Sequence, residues 1–377
     1  MKVIFLKYKY VLLVMLFFSL VNMFAVSRLH LLKDWADMIF LCYPEGSLTV
    51  SAWEQFERSG EGGEEKQNEI FCQAAIWKSL KEIIITAEQT GREQKVSCYW
   101  IKGQPEAVFG KELICGRYFM KNEDHVCLLD LDTVRMLFGS ENVLGMEIQI
   151  NGTGWRIIGV LSGNRKICVI PSGESGREPV SEKDSDGIGA GSAAGGSAGS
   201  GEAAITGNDG GGFDGAAVRK KQNGQSSNLM FSRIEASFGS AGGQKMDGQL
   251  FYVTACFIYF SILGLVLMFA GIILGKRMHQ KWMTAAGMGA AAGIMWLGIR
   301  YAAPGSDYLP SYWSDFDFFS RIFEEKAKQI GELALHQEFP VWQNIYQTWR
   351  QVIGAGIFNC VLCIISVFGM GIQKKQD

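Results

Sequence analysis

Four stretches of this chain contain no Asp, Glu, Lys or Arg: Tyr10–Ser27, Phe251–Gly275, Trp282–Ile299 and Gln351–Ile372. A helix needs roughly 18 to 20 residues to cross a bilayer core of about 30 Å, and each stretch approaches or exceeds that length. Hydrocarbon offers no water to backbone N–H and C=O groups, so a single apolar segment satisfies them there by coiling into a helix. The sequence therefore predicts four transmembrane α-helices, around which the rest of the 377 residues must be arranged.

Basic flanks set the orientation. Lys2, Lys7 and Lys9 precede the first span, Lys276, Arg277 and Lys281 separate the second from the third, and Lys374 and Lys375 follow the fourth. Cytoplasmic loops carry the excess of Lys and Arg, so both termini are expected in the cytoplasm of a multi-pass cell-membrane protein. Arg28, Lys33, Arg300 and Arg350 flank the other side, so the bias is an excess and not an absolute rule. A cleaved signal peptide would share the basic start, and Ala25-Val26-Ser27 is a small-x-small run. Three further spans and the lack of a lipobox cysteine favour an uncleaved anchor. The chain then divides into a basic start with helix 1 (1–27), an extracytoplasmic domain (28–171), a Gly/Ser-rich insert (172–227) and a strand returning to that domain (228–249). Helix 2 (250–275), helix 3 (282–300), an outer loop (301–350) and helix 4 (351–372) follow.

The most structured part of the outer domain is Leu113–Gly163. Val126–Leu131 is a short apolar strand, Asp132 is placed to cap a short helix with Val134, Leu137 and Phe138 on one face, and Gly139 ends it. Met146–Ile150 and Trp155–Leu161 alternate apolar with polar residues across Asn151-Gly152-Thr153-Gly154, the pattern of a β-hairpin. Strand, helix and hairpin make an α+β unit, inserted between helices 1 and 2 of the membrane protein.

Gly116-Arg117-Tyr118-Phe119, Asp124, Leu137-Phe138-Gly139, Leu144-Gly145 and Trp155-Arg156-Ile157-Ile158-Gly159-Val160 occur in that order. Together they resemble the extracytoplasmic core domain of MacB-type and FtsX-like ABC transporter permeases, over about Thr86 to Pro171. The resemblance implies a permease subunit that passes the motion of a separate cytoplasmic ABC ATPase to an outer domain, working as a homo- or heterodimer of permease chains. The four glycines Gly116, Gly139, Gly145 and Gly159 are read as turns that determine the fold, not as a site.

Elsewhere the pattern is looser. Ser27–Ile39 is expected to continue the first helix, Glu54–Asn68 to be a solvated loop, and Glu69–Ala87 to include a strand at Ile83-Ile84-Ile85, paired with Lys95–Ile101 across a turn at 89–92. Lys166–Pro171 reads as a strand. Ser172–Ser227 is too rich in Gly, Ser and Ala to offset its chain entropy and reads as disordered, with Arg219-Lys220-Lys221 as a solvated charge run. Asn228–Phe238 is read as the returning strand. Six of the nine cysteines, Cys42, Cys72, Cys98, Cys115, Cys127 and Cys168, fall in the outer part without C-x-x-C spacing, which argues against thiolate zinc and leaves both disulfides and buried free thiols open.

Helix 3 carries Gly289 and Gly293 in G-x-x-x-G spacing, a face for close packing on a partner helix within the chain or from another subunit. In the outer loop, Phe316, Phe319, Phe323, Ala327 and Ile330 recur at helical spacing. Such a helix could lie at the bilayer interface, near Tyr308, Tyr312, Trp313, Trp342, Tyr346 and Trp349, or cap the outer domain.

Gly271–Arg277 misses the P-loop spacing by one residue, H-E-x-x-H and G-x-S-x-G do not occur, and His30, His125, His279 and His336 are scattered. Glu123-Asp124-His125 reads as a solvated turn. The net charge of −2 excludes a nucleic-acid partner. No enzyme activity, cofactor or metal is therefore expected; the partners are the lipid bilayer and an ATPase subunit. The inner loop Lys276, Arg277, Met278, His279 and Lys281 is the expected ATPase contact. The alternative function is a non-transporting, membrane-anchored binding or scaffold protein on a degenerate permease fold.

Overall fold

The computed structural model describes residues 2–43, 48–62, 71–121, 123–163, 165–172, 212–221, 226–238, 243–278, 281–308, 310, 312, 314–315, 317–335 and 339–373. In chain order the elements are α1 (Lys2–Trp35), β1 (Met38–Cys42), α2 (Val50–Gly62), β2 (Phe71–Ala87), β3 (Glu93–Gly103), α3 (Glu106–Phe109), β4 (Leu113–Gly116), β5 (Val126–Asp130), α4 (Leu131–Phe138) and β6 (Glu147–Ile150). Then come β7 (Thr153–Leu161), β8 (Ile167–Pro171), β9 (Gly215–Lys220), α5 (Ser227–Phe238), β10 (Gln244–Asp247), α6 (Gly248–Met278), α7 (Lys281–Ala302), α8 (Phe318–Leu335) and α9 (Trp342–Gln373). The chain forms two units: Met1–Cys42, Ser59–Gln73 and Ala217–Asp377 make one, Tyr43–Arg58 and Ala74–Ala216 the other.

Among the described residues, the first unit holds four helices long and apolar enough to cross a membrane, over Leu16–Trp35, Gly248–Ile273, Lys281–Ala302 and Trp342–Ile365. Each overlaps one of the four uncharged stretches, though the first runs on through Arg28, Lys33 and Asp34 to Trp35 and the fourth starts earlier, at Trp342. α6 packs on α1, α7 and α9, and α1 packs on α9. The backbones of α6 and α7 come close together: a Cβ added to Gly271 would lie 2.6 Å from the Cα of Gly287. Two glycines facing each other let these backbones meet. Gly289 and Gly293 face no such neighbour, for a Cβ at either would meet nothing within 4 Å. The near-miss P-loop at 271–277 lies inside α6.

The second unit is an α+β domain. Its strands run β2-β3-β8-β5-β7-β4, and β6 pairs with both β7 and β2, so six strands form a closed ring of ladders. β3 with β8 and β5 with β7 are parallel; the remaining pairs are antiparallel. β5 and β8, each with one parallel partner, are buried at every residue, as strands covered on both faces must be. The hairpin, the Lys95–Ile101 strand and the Lys166–Pro171 strand all lie where the sequence placed them. Asn151 (φ 49°) and Gly152 (φ 79°) make the hairpin turn, and Gly139 closes α4 in the left-handed region at φ 67°. Val134 and Leu137 of α4 pack into the same core as Val96, Trp100, Leu129 and Ile157.

Several expectations are corrected. Asn228–Phe238 belongs to helix α5, not to a strand: Met230, Phe231, Ile234 and Phe238 recur at three- and four-residue spacing and are buried as one helical face. The strand that pairs with β1 is the four-residue β10. The C-terminal end of the presumed disordered insert is strand β9, in which Ala216, Ala217 and Val218 are buried. Residues 173–211 and 222–225 of that insert lie outside the described residues. Glu54–Asn68 begins inside helix α2, anchored by Trp53 at 1% exposure. α1 ends at Trp35, so Ile39 is a strand residue. The N-cap of α4 is Asp130, two residues earlier than expected, and α9 begins at Trp342 rather than near 351.

Candidate coupling site

Two of the apolar helices pass into strands with almost no chain between. Only Ala36 and Asp37 separate α1 from β1, and β10 ends at Asp247 where α6 starts at Gly248. β1 and β10 are hydrogen-bonded antiparallel partners, Ile39 opposite Asp247 and Cys42 opposite Gln244. Both helices are thus fixed to one ladder. At 31 residues, α6 extends about 46 Å from that ladder to the segment before α7. An unbroken helix has few soft dihedrals, so displacement at one end reaches the other.

A buried polar cluster braces this junction. Lys220, 3% exposed, donates from Nζ to Ser227 Oγ (2.7 Å) and Gln249 Oε1 (3.0 Å), with Asp247 Oδ1 at 3.6 Å. Asp247 Oδ1 also accepts from the Gln249 backbone N–H at 3.0 Å, capping the start of α6. Asp307 Oδ2 accepts from the Ser227 N–H at 2.7 Å, and the Lys220 N–H donates to Asp37 O at 2.8 Å. One lysine therefore ties β9, β10, α5 and α6 together. Burial pushes the Asp37 carboxyl above its ordinary value, opposed by the charges of Arg219, Lys220 and Lys33. Lys220 is not the solvated charge expected from the run at 219–221. A charge removed from water requires this set of partners.

A second polar group lies among the apolar helices. Tyr259 of α6 donates its hydroxyl to Asn22 Oδ1 of α1, and Asn359 of α9, fully buried, approaches the same oxygen with Nδ2 at 3.5 Å. Asn22 in turn donates to Phe18 O at 2.6 Å. None of the three is Asp, Glu, Lys or Arg, so a stretch free of those charges can still carry polar contacts between helices.

The expected ATPase contact falls at the other end of α6. Lys276, Arg277 and Met278 are its last three residues, Lys281 is the exposed first residue of α7, and His279 lies outside the described residues.

The α+β domain has its own buried network. Asp130 accepts from the N–H groups of Arg165, Lys166 (2.9 Å each) and Ile167 (3.0 Å) and from Thr133 Oγ1, while Arg165 pairs with Glu112, both side chains 6% exposed. These bonds fix the β7–β8 connection over β5. Glu123 forms a two-pronged ion pair with Arg117 at 2.7 Å, whose hydrogen bonds hold its carboxyl below the ordinary value; His125 lies against Trp155. Cys98, Cys127 and Cys168 are buried free thiols on β3, β5 and β8, with Cys98 opposite Cys168. A hydrogen bond to Cys168 and burial push the Cys98 thiol up, and burial does the same for Cys127. Among the described residues no group of three or more His, Cys, Asp or Glu is arranged to hold a metal ion.

No family model matches the chain. No curated protein matches it either. Among solved structures, it is similar to the periplasmic region of MacB from Actinobacillus actinomycetemcomitans, at 15% identity over 57% of this chain and 91% of that one, with a TM-score of 0.39. It is also similar to the extracellular domain of the noncanonic ABC-type transporter YknZ from Gram-positive bacteria, at 15% identity over 54% and 95% of the two chains, with a TM-score of 0.34.

Proposed function

We propose that this chain is a membrane permease subunit of an ABC transporter, FtsX- and MacB-like, that transmits ATPase-driven motion to an extracytoplasmic α+β domain. The observation that carries the reading is the direct continuation of α1 and α6 into the paired strands β1 and β10. With it goes the ordered set of residues from Gly116 to Val160 that resembles the family. A separate cytoplasmic ATPase engages Lys276, Arg277, Met278, His279 and Lys281, with both termini on the same side of the cell membrane. Its stroke displaces the inner end of α6, and the ladder at the outer end carries the displacement onward, for export or for mechanical signalling. Two permease chains form the working unit, with Gly289 and Gly293 offered to the second chain. The reaction chemistry belongs to the ATPase.

The test is co-purification. A cognate ABC ATPase, co-expressed, is retained by the wild-type chain and weakened by the Met278→Ala, His279→Ala pair, while membrane insertion persists because the charges that direct it are untouched. A second reading, a membrane-anchored binding or scaffold protein, is favoured by one observation. α6 ends at Met278 and α7 starts at Lys281, so only positions 279 and 280 lie between them to offer an ATPase a coupling segment. Failure of any ABC ATPase to co-purify from the native host, under conditions that retain other permease complexes, decides for the scaffold.

A further inference from the structure

Helix α8 carries one stripe, apolar except for Lys326, that the chain covers for only half of its length. Phe319, Phe323, Lys326, Ile330 and Leu333 follow one another at spacings of four, three, four and three, which places them on one face. At the C-terminal half the stripe is packed, with Lys326 7% and Leu333 5% exposed. At the N-terminal half it is bare, with Phe319 61% and Phe323 77% exposed. The charged residues Arg321, Glu324, Glu325, Lys328 and Glu332 lie on the opposite face, in nearly balanced number.

The neighbours of α8 give its level. Lys326 Nζ lies 5.9 Å from the centre of the Tyr308 ring. The Tyr308 N–H donates to Gly305 O at 3.1 Å, and Gly305 is three residues past the end of α7. A Cβ on Gly305 would lie 3.0 Å from Gln249 Nε2, in the first turn of α6. The middle of α8 therefore lies level with the outer ends of two helices that are apolar enough to span a bilayer. After α8 the chain leads into α9, whose Trp342, Tyr346 and Trp349 stack in succession, with Trp342 also set edge-on to Phe251 of α6. Aromatic side chains of this kind gather where headgroups meet acyl chains.

We infer that α8 is an interfacial helix whose bare half, through Phe319 and Phe323, inserts into the outer leaflet of the bilayer. The occupant of the bare face is lipid, because the middle of α8 lies level with the ends of α6 and α7 and the chain runs from it into the aromatic start of α9. With its opposite face nearly neutral, α8 inserts by apolar burial rather than by attraction to anionic headgroups. It therefore engages phosphatidylcholine as readily as phosphatidylglycerol. The inference rests on the membrane reading of the chain and not on an ATPase partner.

The experiment places the photo-crosslinking residue p-benzoyl-phenylalanine at one position at a time in the full chain, reconstituted in phosphatidylcholine bilayers, and identifies adducts by mass spectrometry. Position 323 replaces one phenylalanine by a larger one, so the helix keeps its apolar face. Leu265, 50% exposed in the middle of α6, is the reference for lipid contact, and Lys328, with its side chain 76% exposed, the reference for water. Lipid adducts at 323 and 265 but not at 328 are expected, unchanged when phosphatidylglycerol is mixed in. Lipid adducts at 265 alone overturn the inference and leave the membrane reading intact. A chain-to-chain crosslink at 323 overturns it in favour of a second copy as occupant. Failure to find adducts at 265 as well as 323 overturns the membrane reading itself.

Discussion

Gly248 is a position where a normally mild substitution should have the opposite sign. Replacing a helical glycine by alanine ordinarily stabilises by about 0.5–1 kcal/mol, since glycine loses more conformational freedom on folding. At 248 the new Cβ would lie 1.9 Å from the Trp35 carbonyl oxygen, 2.8 Å from its carbon and 3.1 Å from Met38 O. A carbon needs roughly 3.5 Å from such atoms, so the ends of α1 and α6 would have to part by about 1.6 Å. All three obstructing atoms are backbone, so no rotamer change relieves them. Overpacking of this kind costs about 1–3 kcal/mol, and the strain falls on the Ile39–Asp247 end of the β1/β10 ladder. Gly248→Ala should therefore destabilise by at least that range. Urea unfolding of the full chain in lipid nanodiscs, followed by tryptophan fluorescence, measures it. Gly354→Ala in α9, with nothing within 4 Å of the added carbon, is the internal comparison and should be neutral or slightly stabilising. A Gly248→Ala chain as stable as the wild type would refute the close junction on which the coupling argument depends.

Lys220→Met should cost about 3–5 kcal/mol in the same unfolding assay, because it strands Asp247 as a buried charge; adding Asp247→Leu should restore most of the loss, and additive losses would refute the pairing. Deleting Gly187 to Gly212 should leave the unfolding midpoint nearly unchanged, since closure entropy alters by about 0.6 kcal/mol per doubling of loop length, whereas extending the deletion through Lys220 should abolish folding by removing β9. In the folded chain at pH 7.5 a maleimide should modify the exposed Cys72 but not Cys98, Cys127 or Cys168, and peptide mapping that finds early modification of any of these three would contradict their burial.

The parts of the fold legible in the sequence share one physical property: their periodicity is local. The four apolar helices announce themselves by length alone, and the β6–β7 hairpin by alternation around Asn151-Gly152. Asn228–Phe238 supports both periods, with Phe231, Ile234 and Ala236 of partly alternating character and Met230, Phe231, Ile234 and Phe238 on one helical face, because in a short segment both find matches. The start of α4 was misplaced because Asp130 and Asp132 both suit a cap, and the choice is made at a distance. Asp130 is held by the N–H groups of 165–167, which are about 35 residues away in sequence.

The polar residues of the coupling site were hidden for a related reason, and the way they were hidden bears on what they do. Lys220 lies in a run of three basic residues after a Gly-rich segment, a context that reads as solvated, yet its partners are supplied by Ser227, Asp247 and Gln249 from three later elements. No local pattern encodes such a cluster, because its members become neighbours only when β9, β10 and α6 assemble. The same holds for Asn22, Tyr259 and Asn359 among the apolar helices, where each is single and neutral in its own segment. A polar group buried without its partners costs several kcal/mol, so each cluster favours the one assembly that completes it. Both clusters include residues of α6, Gln249 about eight turns of helix from Met278 and Tyr259 about five. α6 is thus pinned to its neighbours at its Gly248 end and among the apolar helices by contacts that tolerate little slippage, and in the proposed permease that is the condition under which a push at Met278 would arrive at Asp247.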